Sequence, residues 1–192
     1  MLSTLRLLFF VLLGTTAFAD TEAWPANWSA AVSGTSWETE ADTRFIRLTT
    51  PRPGVTVTLA HEIPVPAGAE VIDVRWRQRI TNLNLGPNPG RYAKIGIEFL
   101  DATGGVLPAD LSTPSYQRNS SGWETKFSRF AVPAGARSFK FSPTLVRVET
   151  GTYDLADISL AATSADAPLP TLARAAPPAA PATPLPATVT AP

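Results

Sequence analysis

Val71-Ile-Asp-Val-Arg-Trp-Arg-Gln-Arg-Ile80, a loop rich in Gly, Pro and Asn, and then Lys94-Ile-Gly-Ile-Glu-Phe-Leu-Asp101 form the stretch from which the fold is read. In the first run Ile72, Val74, Trp76 and Ile80 fall on one side, and Asp73, Arg75, Arg77 and Arg79 on the other. That period of two marks a strand with one buried face. Ile95, Ile97 and Phe99 alternate with Lys94, Gly96 and Glu98 in the second run. Two strands cannot bury an apolar face alone, so the rest of the chain must supply an opposing sheet.

Working outward, short alternating runs recur between turn residues. Arg44 to Thr49, Val55 to Ala60, Gly122 to Val132, Ser138 to Ser142, Leu145 to Val148 and Gly151 to Leu160 all have strand character. Trp24 to Glu38 is irregular, Ile63 to Gly68 is a proline connector, and Ala102 to Ser121 is a long loop. No window from Asp20 to Ala165 shows sustained helical periodicity. Eight or nine short strands predict an all-β fold, a sandwich of two antiparallel sheets.

The ends of the 192-residue chain read differently from its middle. Arg6, the apolar run Leu7 to Leu13 and Ala17-Phe18-Ala19 predict a signal peptide over residues 1–19, cleaved after Ala19, and hence a secreted or periplasmic protein. The run is short for a bilayer span, and no later segment has twenty apolar residues, so no transmembrane span is expected once the signal is removed. Residues 20–165 form one domain. Residues 166–192 hold eight prolines and nine alanines, the composition of an extended linker or disordered tail.

Charge and composition exclude several classes of function. The whole chain carries 16 basic and 16 acidic residues, and loss of Arg6 leaves the domain near neutral. Nucleic acid is not an expected partner. There is no cysteine, so disulfides, thiolate metal sites and cysteine nucleophiles are ruled out. His61 is the sole histidine and sits in no nucleophile motif. Glu98 and Glu124 are the candidate carboxylates for a glycosidase pair, which would have to face each other across a sugar. Without such a convergent set, the protein is not expected to be an enzyme.

Features taken in order resemble a known family: an I-x-V-x-W strand, E-F-L-D followed by Gly104-Gly105, the Gly122-Trp123 strand leading to Val132-Pro-Ala-Gly-Ala136, a Phe-rich strand, and Gly151-x-Tyr-x-Leu-x-Asp-Ile-Ser-Leu160. Together they are similar to the CenC-like jelly-roll carbohydrate-binding modules, galactose-binding-like β-sandwiches attached to bacterial glycoside hydrolases. The resemblance spans Trp37 to Leu160. It implies a jelly roll that binds a polysaccharide or other glycan without catalysis, docking itself or an attached glycoside hydrolase. A structural or adhesive envelope domain, and a hydrolase fragment with catalysis elsewhere, are the alternatives.

The resemblance also implies a structural calcium near the last strand. The matching acid is Asp157, with Ala156 where the family has a second aspartate; Glu38, Glu40 or Asp42 would complete the shell if the two ends of the domain meet. For the glycan, Tyr92, Tyr116 and Trp37 are the candidate aromatic platforms, since sugar rings offer an apolar C–H face and a hydroxyl edge. Arg75, Arg77 and Arg79 would share one exposed face with Lys94 and Glu98 of the following strand, an array suited to an acidic or sulfated glycan. The alternative is that these arginines are solvated and paired with Asp73 and Glu98.

Overall fold

The computed structural model describes Trp28 and residues 32–170. Over these residues the chain is a jelly-roll β-sandwich of two antiparallel sheets, with no helix among them. The strands are β1 (Thr35–Glu40), β2 (Thr43–Thr49), β3 (Val57–Thr58), β4 (His61–Pro64), β5 (Val71–Asn84), β6 (Tyr92–Leu100), β7 (Ser115–Tyr116), β8 (Glu124–Ala131), β9 (Ser138–Val146) and β10 (Thr150–Thr163). One sheet has the order β1-β2-β10-β5-β8; the other runs β3-β9-β6-β7, with β4 beside β3 on the same edge of β9. Residues 1–19, expected from the sequence to be a signal peptide, and the residues beyond 170 lie outside the described residues.

The alternation read from the sequence is the one observed. Ile72, Val74, Trp76 and Ile80 of β5 are buried, as are Ile95, Ile97 and Phe99 of β6, and they meet in one core with Phe139 and Phe141 of β9. Trp76 stands edge-on to Phe141 with ring centroids 5.9 Å apart, and Phe99 to Phe139 at 5.3 Å. Such edge-on contacts are preferred over face-to-face stacking; the first ties the two layers together, and the second joins neighbouring strands of one sheet.

Pro143 explains both a missed strand and a broken one. It interrupts the alternation between Phe141 and Leu145, so the sequence suggests two runs where the structure has the single strand β9. Opposite Pro143 in β6 is Ile95, whose N–H points the other way, to the carbonyl of Pro114. The side of Pro143 that lacks a donor therefore faces the strand pair at the sheet edge. There Leu59 still donates to the Pro143 carbonyl at 3.2 Å, but the ladder breaks and the edge divides into β3 and β4. Proline is tolerated in a sheet only at such an interruption.

Two further differences follow from sheet membership. The irregular opening contains β1, and the long loop contains β7. More consequential is that β5 pairs with β10 and β8, whereas β6 pairs with β9 and β7. The loop Leu85 to Arg91 is thus a crossover between layers. Arg91 steadies it, bonding to the Leu85 carbonyl at 3.2 Å and forming an ion pair with Glu149. At the other end of the domain the described start of the Pro/Ala-rich segment is tied down: Arg129 donates to the carbonyls of Ala167 at 2.6 Å and Pro168 at 3.4 Å.

Candidate functional site

The crossover corrects the expected binding face. Arg75, Arg77 and Arg79 project from the outer face of one sheet, and Lys94 and Glu98 from the outer face of the other, so the five do not share a surface. Two of the three arginines of β5 are engaged where they stand, with partners other than those expected. Arg79 pairs with Asp154 at 2.8 Å and Glu40 at 2.7 Å, and Arg77 with Asp157 at 2.9 Å. The acids proposed for them go elsewhere: Asp73 holds Arg129 at 2.7 Å, and Glu98 holds Lys140 at 2.8 Å.

Around these pairs the first sheet builds a layer of charge and aromatic rings. Asp154, 1% exposed, accepts from Arg47 and Arg79 together. Arg79 lies 4.7 Å and Arg77 5.1 Å from the centre of the Trp123 ring, and Arg47 lies 5.1 Å from that of Phe45. Phe45 and Trp123 are edge to face at 5.5 Å. Cation–π contact and bidentate pairing hold the guanidiniums in place. Hydrogen bonding to Glu40 raises the pKa of Arg79 above its ordinary value, and bonding to Asp154 does the same for Arg47.

This layer is also where the calcium was expected, and the residues do not fit it. Glu40 is held by Arg79, which lowers its pKa; Asp157, at φ 50° where the β10 ladder shifts between Ala156 and Ser159, is held by Arg77; Glu38 accepts from Ser36 at 2.8 Å. Among the described residues no group of three or more acids and histidines is gathered for a metal ion. Calcium needs six to eight oxygens, and here guanidiniums already neutralise Asp157 and Glu40. Calcium bound at a hundred times its Kd would add about 2.7 kcal/mol. We expect instead that the melting temperature is the same in calcium and in chelator; a rise of several degrees on adding calcium would contradict this account.

The aromatic candidates separate in the same way. Trp37 turns inward against the core, edge-on to Trp28 at 6.2 Å, and Trp28 stacks on His61 at 4.9 Å. These rings close the edge where β1 meets β4. Tyr116 also turns inward, 6.2 Å from the Tyr153 ring, with Lys126 over it at 5.6 Å. Burial raises its phenol pKa, and a hydrogen bond with Gln78 opposes that shift. Tyr92 alone faces outward. Glu98 and Glu124 stand on different sheets, the latter paired with Lys126 at 2.8 Å, so no carboxylate pair spans a common site.

Tyr92, Lys94 and Glu98 are brought together in an open groove of about 830 Å³ on the outer face of the second sheet. Its floor is β6, β9 and the β3/β4 edge; one wall is the loop carrying Leu107 and Leu111. The outward positions of β6 are Tyr92, Lys94, Gly96 and Glu98, opposite Val146, Thr144, Ser142 and Lys140 of β9. The middle of the floor is low because Gly96 has no side chain and faces Ser142. A Cβ there would lie 3.3 Å from the Ser142 carbonyl, and a glycine inside a strand marks just such a close approach. The sequence singled out three of these residues. It gave no sign of Ser142, Thr144 and Lys140, since polar residues on an outward face are ordinary.

No protein-family model matches the sequence, and no curated protein does. Solved structures match it by shape. The enzymatically active domain of bacteriophage CBA120 tailspike protein 4 is similar over 71% of the chain, with a TM-score of 0.51 and 14% identity; the chain spans 19% of that protein's length. The fold is shared. A CBM4 domain matches over 72% of the chain and 96% of its own, at TM-score 0.47 and 14% identity. The N-terminal cellulose-binding domain of Cellulomonas fimi β-1,4-glucanase C matches over 73% and 91%, at 0.49 and 14%. Several other similar structures are carbohydrate-binding modules as well.

Proposed function

We propose that the protein is an exported, non-catalytic carbohydrate-binding domain that docks itself, or a partner attached to it, onto a polysaccharide. The observation that carries this reading is the groove over β6 and β9. It sets the Tyr92 ring and the apolar Leu107, Leu111 and Val146 beside the hydroxyls of Thr58, Ser142 and Thr144 and the charged Lys94, Glu98 and Lys140. A pyranose has the same two characters, a C–H face for the ring and a hydroxyl rim for the polar groups. The Glu98–Lys140 pair is half exposed and fixed across the strands, so it presents an acceptor and donors at one place without needing to order on binding.

Affinity electrophoresis of the full chain through gels containing soluble polysaccharides tests this reading. Tyr92→Ala should weaken retention about tenfold, the equivalent of about 1.4 kcal/mol of lost ring contact. Arg75→Ala, on the opposite face of the sandwich, should leave it unchanged. Equal retention of the wild type and Tyr92→Ala, or loss through Arg75→Ala alone, would move the site off this groove. Retention by no polysaccharide would favour a structural envelope domain.

A further inference from the structure

We infer that the groove selects a polysaccharide whose sugar units carry an anionic group, carboxylate or sulfate, and that Lys94 reads that charge. This deepens the carbohydrate-binding reading and rests on it. Three charged side chains line the groove, Lys94, Glu98 and Lys140. Glu98 and Lys140 neutralise each other at 2.8 Å. The nearby Glu62, opposite Lys140 on β4, accepts from the Ser138 hydroxyl at 2.6 Å. Among the described residues Lys94 forms no ion pair: its neighbours across the sheet are Thr144 of β9 and Ser115 of β7, and its neighbours along the outward face of β6 are Tyr92 and Gly96. The side chains that line the groove thus sum to one positive charge, contributed by the half-buried Lys94 in mid-sheet.

The placement of that ammonium gives the selection its form. Lys94 follows Tyr92 by two residues on one face of β6, about 6.6 Å along the strand. A pyranose resting on the Tyr92 ring therefore directs an exocyclic substituent toward Lys94, over the space that Gly96 leaves open. To a hydroxyl the ammonium offers an ordinary hydrogen bond; to a carboxylate or sulfate it offers a charge-assisted one, about twice as strong. Of the guanidiniums of β5, the other candidates for reading acid, Arg77 and Arg79 are held by Asp157, Asp154 and Glu40, and all three, Arg75 included, stand on the outer face of the far sheet, away from the groove.

The test is affinity electrophoresis of the full chain against polygalacturonate, dextran sulfate and neutral dextran at low and at physiological salt. Polygalacturonate should retard the protein most, and more so at low salt. Lys94→Gln should cut the ratio of acidic to neutral affinity about tenfold, and Lys94→Arg should restore most of it. Retardation by polygalacturonate alone identifies the group as a carboxylate; retardation by dextran sulfate as well identifies it as any ring-borne anion. Neutral dextran bound as tightly as polygalacturonate, with Lys94→Gln keeping the same ratio, overturns this inference and leaves the groove reading standing. If none of the three, nor any other polysaccharide, retards the chain, the groove reading itself fails.

Discussion

Asp154→Ala is expected to destabilise the fold by about 3 kcal/mol and to lower the melting temperature by about 10 °C. Asp154 is the most enclosed carboxylate in the arginine layer. Both of its oxygens accept, Oδ1 from Arg47 at 2.8 Å and Oδ2 from Arg47 at 3.0 Å and from Arg79 at 2.8 Å and 3.0 Å, while its own side chain is 1% exposed. Removing it leaves two guanidiniums facing each other beside Phe45 and Trp123 with Glu40 as the remaining partner of Arg79. Breaking a buried pair from one side costs about 3–5 kcal/mol, and the partial exposure of both arginines places this case at the lower end. Asp157→Asn is the comparison. Its pair with Arg77 is exposed, Asn tolerates the left-handed backbone at that position, and the expected loss is under about 1 kcal/mol. Thermal melts of the two variants that fell together would show that burial of Asp154 is not what matters.

That layer shows what the sequence could and could not convey. Alternation assigns each side chain of β5 and β6 to an inner or outer face, because the period of two is local, and the assignments of Ile72, Val74, Trp76, Ile95 and Phe99 hold in the structure. It carries no information about which strand lies alongside. A seven-residue loop such as Leu85 to Arg91 serves equally for a hairpin or for a step between layers, and the step sends Arg75, Arg77 and Arg79 to the face opposite Lys94 and Glu98. Hence the candidate site was half legible: Tyr92, Lys94 and Glu98 share one strand, so their company depends on local geometry alone. Trp37 and Tyr116 lie in segments whose sequence is irregular, which suggests surface platforms. In β1 and β7 each turns inward, against Trp28 and Tyr153 respectively.

The alternation held one more signal. Gln78 occupies the inward register of β5 between Trp76 and Ile80, a polar residue where the pattern calls for an apolar one, and it is 1% exposed. A buried amide there must be answered by partners. It is: Gln78 Oε1 accepts from Trp76 Nε1 at 2.9 Å and from the Tyr153 hydroxyl at 3.0 Å, and burial drives the Tyr153 phenol pKa well above its ordinary value, so that hydroxyl stays protonated and donates. Gln78→Leu preserves approximate volume but strips two fully buried donors of their acceptor, each at about 1–3 kcal/mol, for an expected loss of roughly 2–5 kcal/mol in denaturant unfolding. Adding Tyr153→Phe removes one stranded donor, so the double variant should recover part of that loss. Restoration by a second truncation is a sign that the cost lay in unmet hydrogen bonding and not in packing. A double variant less stable than Gln78→Leu by the full cost of Tyr153→Phe alone would mean that the two side chains are uncoupled and that the amide is no hub.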